Sequence, residues 1–574
     1  MNKPVARISA LSLSLLLFAG CATTSVQPAA SPARQASLAL IEQGNAREAA
    51  QQLEAQASQV RGATRSQLLA DAAFAWLTAG DAARARTLLA QVQPRQLSGP
   101  GVQRFQLTNA ELALADGQAA QALQALTSTA QQVPQPLQAR WYLASAQALE
   151  GTGRAFDAAA ARARALDLLP SAERGDNQKA ITRLLASVDD ATLRSRTAAL
   201  PAGEPLYNYA GRALISRGLP LPRPFDRNAQ ARLDTSKWPP ADRDGYRPPA
   251  KLAVLLPLSG NLATAAAPVR DGLLAGYYAE TRRRPEITFI DTKGTPFGAG
   301  NAYDRAVSEG ADFIIGPLGR DEVEALFARE QLPVPVLALN RGKDLPPAGS
   351  AGFSLAPEDD GIMAAEYLVS RERSRAVVIS SSDDTGRRAA ASFAQRFVER
   401  GGQVLATITV SDNPADIGAQ LRQAGNADAV LLAVRGNQAR ALAPQLAMAG
   451  LSGASRVGTS QLLSGTGKAE EDMALDGIAF PTEAWTARGV SGLPNATTLA
   501  GSLPTARGGA ARLFAFGHDA WQLTAHLEKL ANAPEGGIRG ATGTLQLDGF
   551  GNVLRLPAWS TFSGGRPMPI ADGR

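Results

Sequence analysis

One cysteine and two histidines are all that a chain of 574 residues carries of the side chains most used to bind transition metals. A lone thiol excludes an internal disulfide. His518 and His526 lie eight residues apart on one apparent helix, with no third ligand, and make a poor zinc site. No metal, cofactor or catalytic residue is therefore expected. The glycines of "GFGNV" and "GTGKAE" lack the phosphate-cradling spacing, and "SSSDD" lacks the Gly-x-Ser-x-Gly elbow. The carboxylate pairs Asp359-Asp360 and Asp383-Asp384 fall where loops are expected and read as solvated groups or helix caps. Aromatics are 5% of the residues, and no aromatic and basic platform accompanies the formal charge of +6, so nucleic acid is not an expected partner. The basic residues are scattered, arginine outnumbers lysine, and the longest basic cluster, Arg282 to Arg284, closes an apparent helix at its negative end. Long apolar runs are scarce too. The stretch Ala10 to Ala19 is too short for a bilayer, which takes about 20 apolar residues.

That stretch has another use. Lys3 and Arg7 precede it, and the small residues Ala19 and Gly20 stand before Cys21, the layout of a cleaved export signal. Phe18-Ala19-Gly20-Cys21 resembles a bacterial lipobox, which implies cleavage before Cys21, diacylglycerol on its sulfur and an acylated new amino terminus. Residues 1–20 thus read as a lipoprotein signal peptide and 21–34 as an acylated tether. Three acyl chains exceed the two signals that stable anchoring takes. Ala22, where an inner-membrane lipoprotein typically carries Asp, implies the outer membrane, with the rest of the chain on its periplasmic side.

About 550 mature residues are too many for one core. The helical domain reads as 35–218: from 35 to 170 the pattern is of Ala- and Leu-rich helix pairs broken by glycines at 44, 80, 117 and 153, spaced 80−44=36, 117−80=37 and 153−117=36, and helical patterning continues to 218. This resembles the tetratricopeptide period of about 34 residues and predicts an all-α helical repeat array whose pairs bury their apolar faces on one another. Ala49, Ala85 and Ala122 are small enough for close helix approach. Trp76 and Leu77 fill part of the family pattern, but Thr78 stands where glycine is usual. Such an array serves as a docking scaffold or as a spacer. Seven prolines between Leu219 and Ala250 then exclude regular structure, so 219–249 reads as a linker, with Trp238 packed against a neighbour.

From 250 to 574 strands alternate with helices, as in a parallel sheet with crossover helices. "KLAVLLPL", "EITFID", "ADFIIGPL" and "VPVLALN" form one series of strands; "RAVVISSS", "QVLATITV", "ADAVLLAV" and "SRVGTS" form a second. Two series predict two lobes, followed by the helix "LFAFGHDAWQLTAHLEKL", in which "FGHDAW" reads as a lobe-packing element with His, Asp and Trp at a helix entry, and a final hairpin turning at Asp548-Gly549 and Gly551-Asn552.

"AVLLPLSGNLATAAAPVRDGLLAGYY", "ADFIIGPLGRDEV", "FGHDAWQL" and "GATGTLQLDGFGNV" resemble, in that order, motifs of the type I periplasmic binding proteins, a bilobed α/β fold. Ligands of open α/β sheets lie beyond the strands' carboxyl ends. That rule makes Ser259, Gly260, Arg320, Ser381, Asp383, Arg435 and Thr459 the candidate cleft residues. The resemblance also implies a hydroxyl-rich carboxylate-binding loop after the third strand, but "GPLGRDEV" has none. Arg320 could hold an anion there, with Asp321 capping the helix and neutralising it, so a small-molecule ligand is not expected. The order lipobox, helical array, bilobed domain is similar to that of the LpoA family, outer-membrane lipoprotein activators of penicillin-binding protein 1A. The resemblance implies a non-enzymatic regulator of peptidoglycan synthesis that binds this synthase and stimulates its transpeptidase. The alternative is a lipid-anchored solute receptor for an amino acid or peptide, serving a transporter.

Overall fold

The computed structural model describes residues 31–226, 235–236, 238–329, 331–343, 345–532 and 537–571. Cys21, the signal peptide and the first ten residues of the tether lie outside them. Contacts divide the chain into two compact units that part between Leu137 and Gln138.

The first unit is helical: Pro32–Glu42, Ala46–Ser58, Gly62–Thr78, Ala82–Leu89, Pro100–Ala115 and Ala119–Ala125. Its glycines end helices as the spacing predicts. Gly44, Gly80 and Gly117 have φ of 85°, 87° and 73°, and the residue after each donates its amide to a carbonyl five residues back, Asp81 to Trp76 at 2.9 Å for example. This is a left-handed helix cap, which glycine adopts without a Cβ clash. Ala49, Ala85 and Ala122 are fully buried. Asp71, also fully buried, accepts from Arg34 Nε and Arg104 Nε, each at 2.6 Å, and so ties three helices by one carboxylate.

The second unit begins with more helices, Ala155–Ala165, Ser171–Ser187, Asp190–Ala198 and Leu206–Ser216. They pack on the α/β part that follows. Arg400 reaches the Val188 carbonyl (3.4 Å) and Asp190 (3.1 Å), and the Tyr209 and Phe550 rings lie 4.6 Å apart. Where it is described, the end of the proline-rich stretch is held against the first lobe. Trp238 meets Phe313 edge-on at 5.4 Å, as its sequence position suggested. Arg247 binds Glu528 (2.7 Å) and the carbonyls of Thr235 (2.8 Å) and Pro239 (2.9 Å).

The first lobe's sheet contains β1 (Lys251–Leu256), β2 (Glu286–Asp291), β3 (Phe313–Ile315), β4 (Val336–Ala338) and β5 (Ala351–Gly352), all parallel, in the order β2-β1-β3-β4-β5. The second contains β6 (Arg375–Ser381), β7 (Gln403–Val410), β8 (Ala429–Ala433), β9 (Ser455–Gly458) and β10 (Ala479–Thr482). Its apolar strands are buried on both faces, as sheets covered by crossover helices require. A small antiparallel sheet of β11 (Gly537–Arg539), β12 (Thr544–Leu547) and β13 (Val553–Leu556) adjoins the first lobe through a Gly352–Asn552 bridge.

Two features differ from the sequence reading. The hairpin turning at Asp548 to Asn552 is not the last one: β14 (Ala558–Ser563) and β15 (Arg566–Ile570) follow, antiparallel, and extend the second lobe's sheet beside β10. "FGHDAW" sits inside the long helix Ala510–Asn532 and not at a helix entry. There Asp519 accepts from the amides of Ala541 (2.5 Å) and Thr542 (2.7 Å), fastening the helix to the loop before β12. The chain passes between lobes three times, after β5, after β10 and between β13 and β14.

Candidate functional site

The seven cleft residues fall into two groups, one at the carboxyl ends of each lobe's sheet. On the first lobe, the Ser259 hydroxyl donates to Asp291 (2.5 Å), which also accepts from the amides of Leu258 (2.9 Å) and Lys293 (2.8 Å). Burial pushes the Asp291 carboxyl up, but these bonds outweigh it and hold the group below its usual range. Gly260 turns the same loop with φ 80°. Arg320 is exposed at the first position of the helix Arg320–Phe327. The cap of that helix differs from the expectation: Glu322, and not Asp321, accepts from the Gly319 amide, at 2.7 Å, because the third helical position lets a side chain fold back on the helix start.

Burial pushes the Glu322 carboxyl above the usual glutamate range, against the Thr292 and Gly319 hydrogen bonds. An acid whose pKa is higher folded than unfolded costs nothing below the ordinary value of about 4.3, and its full penalty once the pH has passed the raised value. Glu322→Gln keeps the acceptor and removes the charge. It is expected to unfold at higher urea than the wild type at pH 7 and to lose that advantage by pH 4; an advantage that grew on acidification would contradict this.

On the second lobe, Asp383 caps the helix Asp384–Glu399 through the Gly386 amide (2.8 Å), one of the two roles its sequence position suggested. Its carboxylate also accepts from Arg435 (3.1 Å), which lies 3.5 Å from Asp412. Ser381 is buried beneath Gly386, where an added Cβ would lie 2.2 Å from its hydroxyl. Thr459 is buried, and its hydroxyl makes no hydrogen bond among the described residues. The structure thus joins Asp383 to Arg435 and Ser259 to Asp291; among the described residues no hydrogen bond or ion pair links the two groups across the lobes.

The densest polar cluster was missed. Asp360 was expected in a loop; it lies in the first turn of the helix Pro357–Val369 and is buried. It accepts from the Ser460 amide (3.0 Å) and hydroxyl, and from Arg512 and Arg555, each at 3.4 Å. Arg512 also lies 3.3 Å from the buried Glu483. Asp360, Glu483 and Arg555 stand at the three crossings between lobes, so this neutral cluster sits on the hinge. A cavity of about 230 Å³ beside it is lined by Ser460, Glu483, Thr486 and Arg512. The sequence signal was Pro357 followed by three acidic residues, the pattern of a first helical turn.

The histidines do other work. His518 is buried, and His526 packs edge-on against Tyr246 at 5.6 Å, its pKa lowered by burial. Among the described residues no group of three or more His, Cys, Asp or Glu side chains is placed to hold a metal ion, and no helix is long and apolar enough to cross a membrane.

Known proteins resemble this arrangement. The penicillin-binding protein activator LpoA of Haemophilus ducreyi is 27% identical over 55% of this chain and 53% of its own length. That of Vibrio antiquarius is 23% identical over 88% of this chain and 91% of its own. The chain spans about half the length of the first curated relatives it matches. A crystal structure of Haemophilus influenzae LpoA shares the fold, with a TM-score of 0.55 at 19% identity over 91% of this chain and 98% of the other. Residues 246–565, more than half of the sequence, match the model of the LppC lipoproteins, and the chain belongs to that family.

Proposed function

We propose that this chain is a periplasmic regulator of peptidoglycan synthesis, anchored in the outer membrane through acylated Cys21, that binds penicillin-binding protein 1A and stimulates its transpeptidase. The observation that carries the reading is membership of the LppC family together with relatives named as penicillin-binding protein activators, one of them matched over nine-tenths of its length. The cleft geometry agrees with a role in binding a protein. Asp291 and Asp383 are engaged by neighbours on their own lobes, Ser259 and Arg435. The helical repeats supply reach from the membrane, and tethering raises the effective concentration of the bilobed domain near its target.

The test mixes the purified full-length chain, in detergent, with penicillin-binding protein 1A and lipid II and measures peptide crosslinks. Crosslinking is expected to rise on addition of the chain alone. Cys21→Ser is expected to keep that stimulation in solution while leaving the outer-membrane fraction of cells. No binding and no stimulation, with saturable amino-acid or peptide binding by calorimetry, would instead make the chain a solute receptor.

A further inference from the structure

The helices Ser171–Ser187, Asp190–Ala198 and Leu206–Ser216, with the turns that join them, touch both lobes of the α/β part. On the second lobe, Arg400 reaches Asp190 and the Val188 carbonyl and lies 3.3 Å from Glu366 of the helix Pro357–Val369. Arg217, 1% exposed, closes the same corner from within the helices: its guanidinium donates to Asp190 (2.8 Å) and to the carbonyls of Leu185 (2.8 Å), Ala186 (2.9 Å) and Val188 (2.7 Å). On the first lobe, Arg212 lies 3.3 Å from buried Asp548, and its guanidinium stands 5.4 Å from the Phe550 ring on which Tyr209 packs. Asn208, fixed by two bonds to the main chain of Asp226 (2.7 and 2.8 Å), sits against Gly549, where an added Cβ would lie 2.0 Å from its amide nitrogen. That hairpin turn belongs to the first lobe, since the Gly551 carbonyl accepts from the Gly352 amide at 2.8 Å.

Both anchors stand away from the crossings between lobes. The hairpin turn is at the far end of β13 from the Pro557 crossing, about 13 Å along the strand. Glu366 is in the third turn of its helix, about 14 Å from Pro357. A lobe rotation of about 15°, the scale of known switching rotations, would shift groups at that distance by roughly 4 Å, more than a hydrogen bond tolerates. The helices cannot stretch to follow, because their rise is set by their own backbone bonds. Between the anchors they face a cavity of about 190 Å³ bounded by Leu185, Ile215, Ile362 and Leu554, so their hold on the lobes lies at the two ends.

We propose that these three helices are a strap that fixes the angle between the lobes, so that the bilobed domain stays one rigid body. Hinge closure around a ligand, the motion of periplasmic binding proteins, is thereby blocked. Neither the membrane anchor nor the synthase enters the argument, so the strap stands or falls independently of the function proposed above.

The test places one spin label on each lobe's rim, through Phe297→Cys and Asp412→Cys, both at positions 81% exposed, in the full chain carrying Cys21→Ser so that no other thiol is present. Pulsed electron paramagnetic resonance then reads the distribution of distances between the labels. One narrow distribution is expected. Arg212→Ala with Phe550→Ala, which releases the first-lobe anchor, is expected to broaden it about twofold, and Asp190→Ala, which loosens the second-lobe anchor, to broaden it as well. Arg305→Ala, which breaks an exposed pair with Glu309 away from the strap, is the control and is expected to leave it unchanged. A broad or two-peaked distribution before any anchor is cut, unchanged width in the folded anchor variants, or equal broadening by the control overturns the proposal. If the Phe550 variant fails to fold, Asp190→Ala decides, because that side chain is 45% exposed and its removal leaves no cavity in a core.

Discussion

Replacing Asp360 by alanine is expected to destabilise the α/β part by about 3–5 kcal/mol, the range found when one partner of a buried ion pair is removed. The carboxylate is almost wholly buried and serves two guanidiniums and the Ser460 amide and hydroxyl at once. Without it, Arg512 keeps only Glu483 as a counter-charge, and Arg555, still buried, keeps one long bond to a carbonyl. Arg555, 3% exposed, cannot regain water without the lobes parting. Asp360→Asn, which retains an acceptor for Ser460, is expected to cost less. Calorimetric unfolding of the full chain measures both; a loss below about 1 kcal/mol for the alanine variant would show that the cluster does not hold the hinge.

The next largest effect is expected at Gly272. The helices Ala263–Ala279 and Ala510–Asn532 cross with backbone against backbone: a Cβ on Gly272 would lie 1.8 Å from the Phe514 carbonyl oxygen, and one on Gly517 1.9 Å from that of Val269. No rotamer change relieves a clash with main chain, so the helices must separate, and the layer of Val269, Phe516 and Trp521 beneath them loosens. Gly272→Ala is expected to cost about 3 kcal/mol, the upper end of ordinary overpacking. Gly501→Ala is the control, since it lies in the helix Ala496–Ser502 with nothing within 4 Å of an added Cβ. It is expected to be neutral or slightly stabilising, because alanine loses less backbone freedom on folding. Equal destabilisation by both substitutions would remove the close approach as the cause.

Structure that arises within a few residues was readable in the sequence. The repeat glycines end helices because a left-handed cap closes on carbonyls only three and five residues back, so spacing alone revealed it. Buried strands such as "AVVIS" and "AVLLA" announced themselves by apolar runs between turn residues, and Asp383 announced a cap by preceding its helix. The order of these signals also placed the candidate cleft residues at the strand ends.

Which of those residues meet was decided by tertiary structure. Asp360 and Ser460 are 100 positions apart, Asp360 and Arg555 are 195, and no local pattern records their convergence at the hinge. Acidic residues at a helix start look alike whether solvated or buried; the desolvation that makes Asp360 consequential comes from segments that arrive only when three crossings bring the lobes together. The return of β14 and β15 to the second sheet was hidden for the same reason, because strand alternation reports that a strand exists and not which edge it joins. The sequence by itself thus determined the helical repeats, the two series of strands and the helix caps, whose energetics are local. The tertiary structure alone decided the hinge charges and the helix crossing at Gly272, where stability depends on which distant groups exclude water from one another.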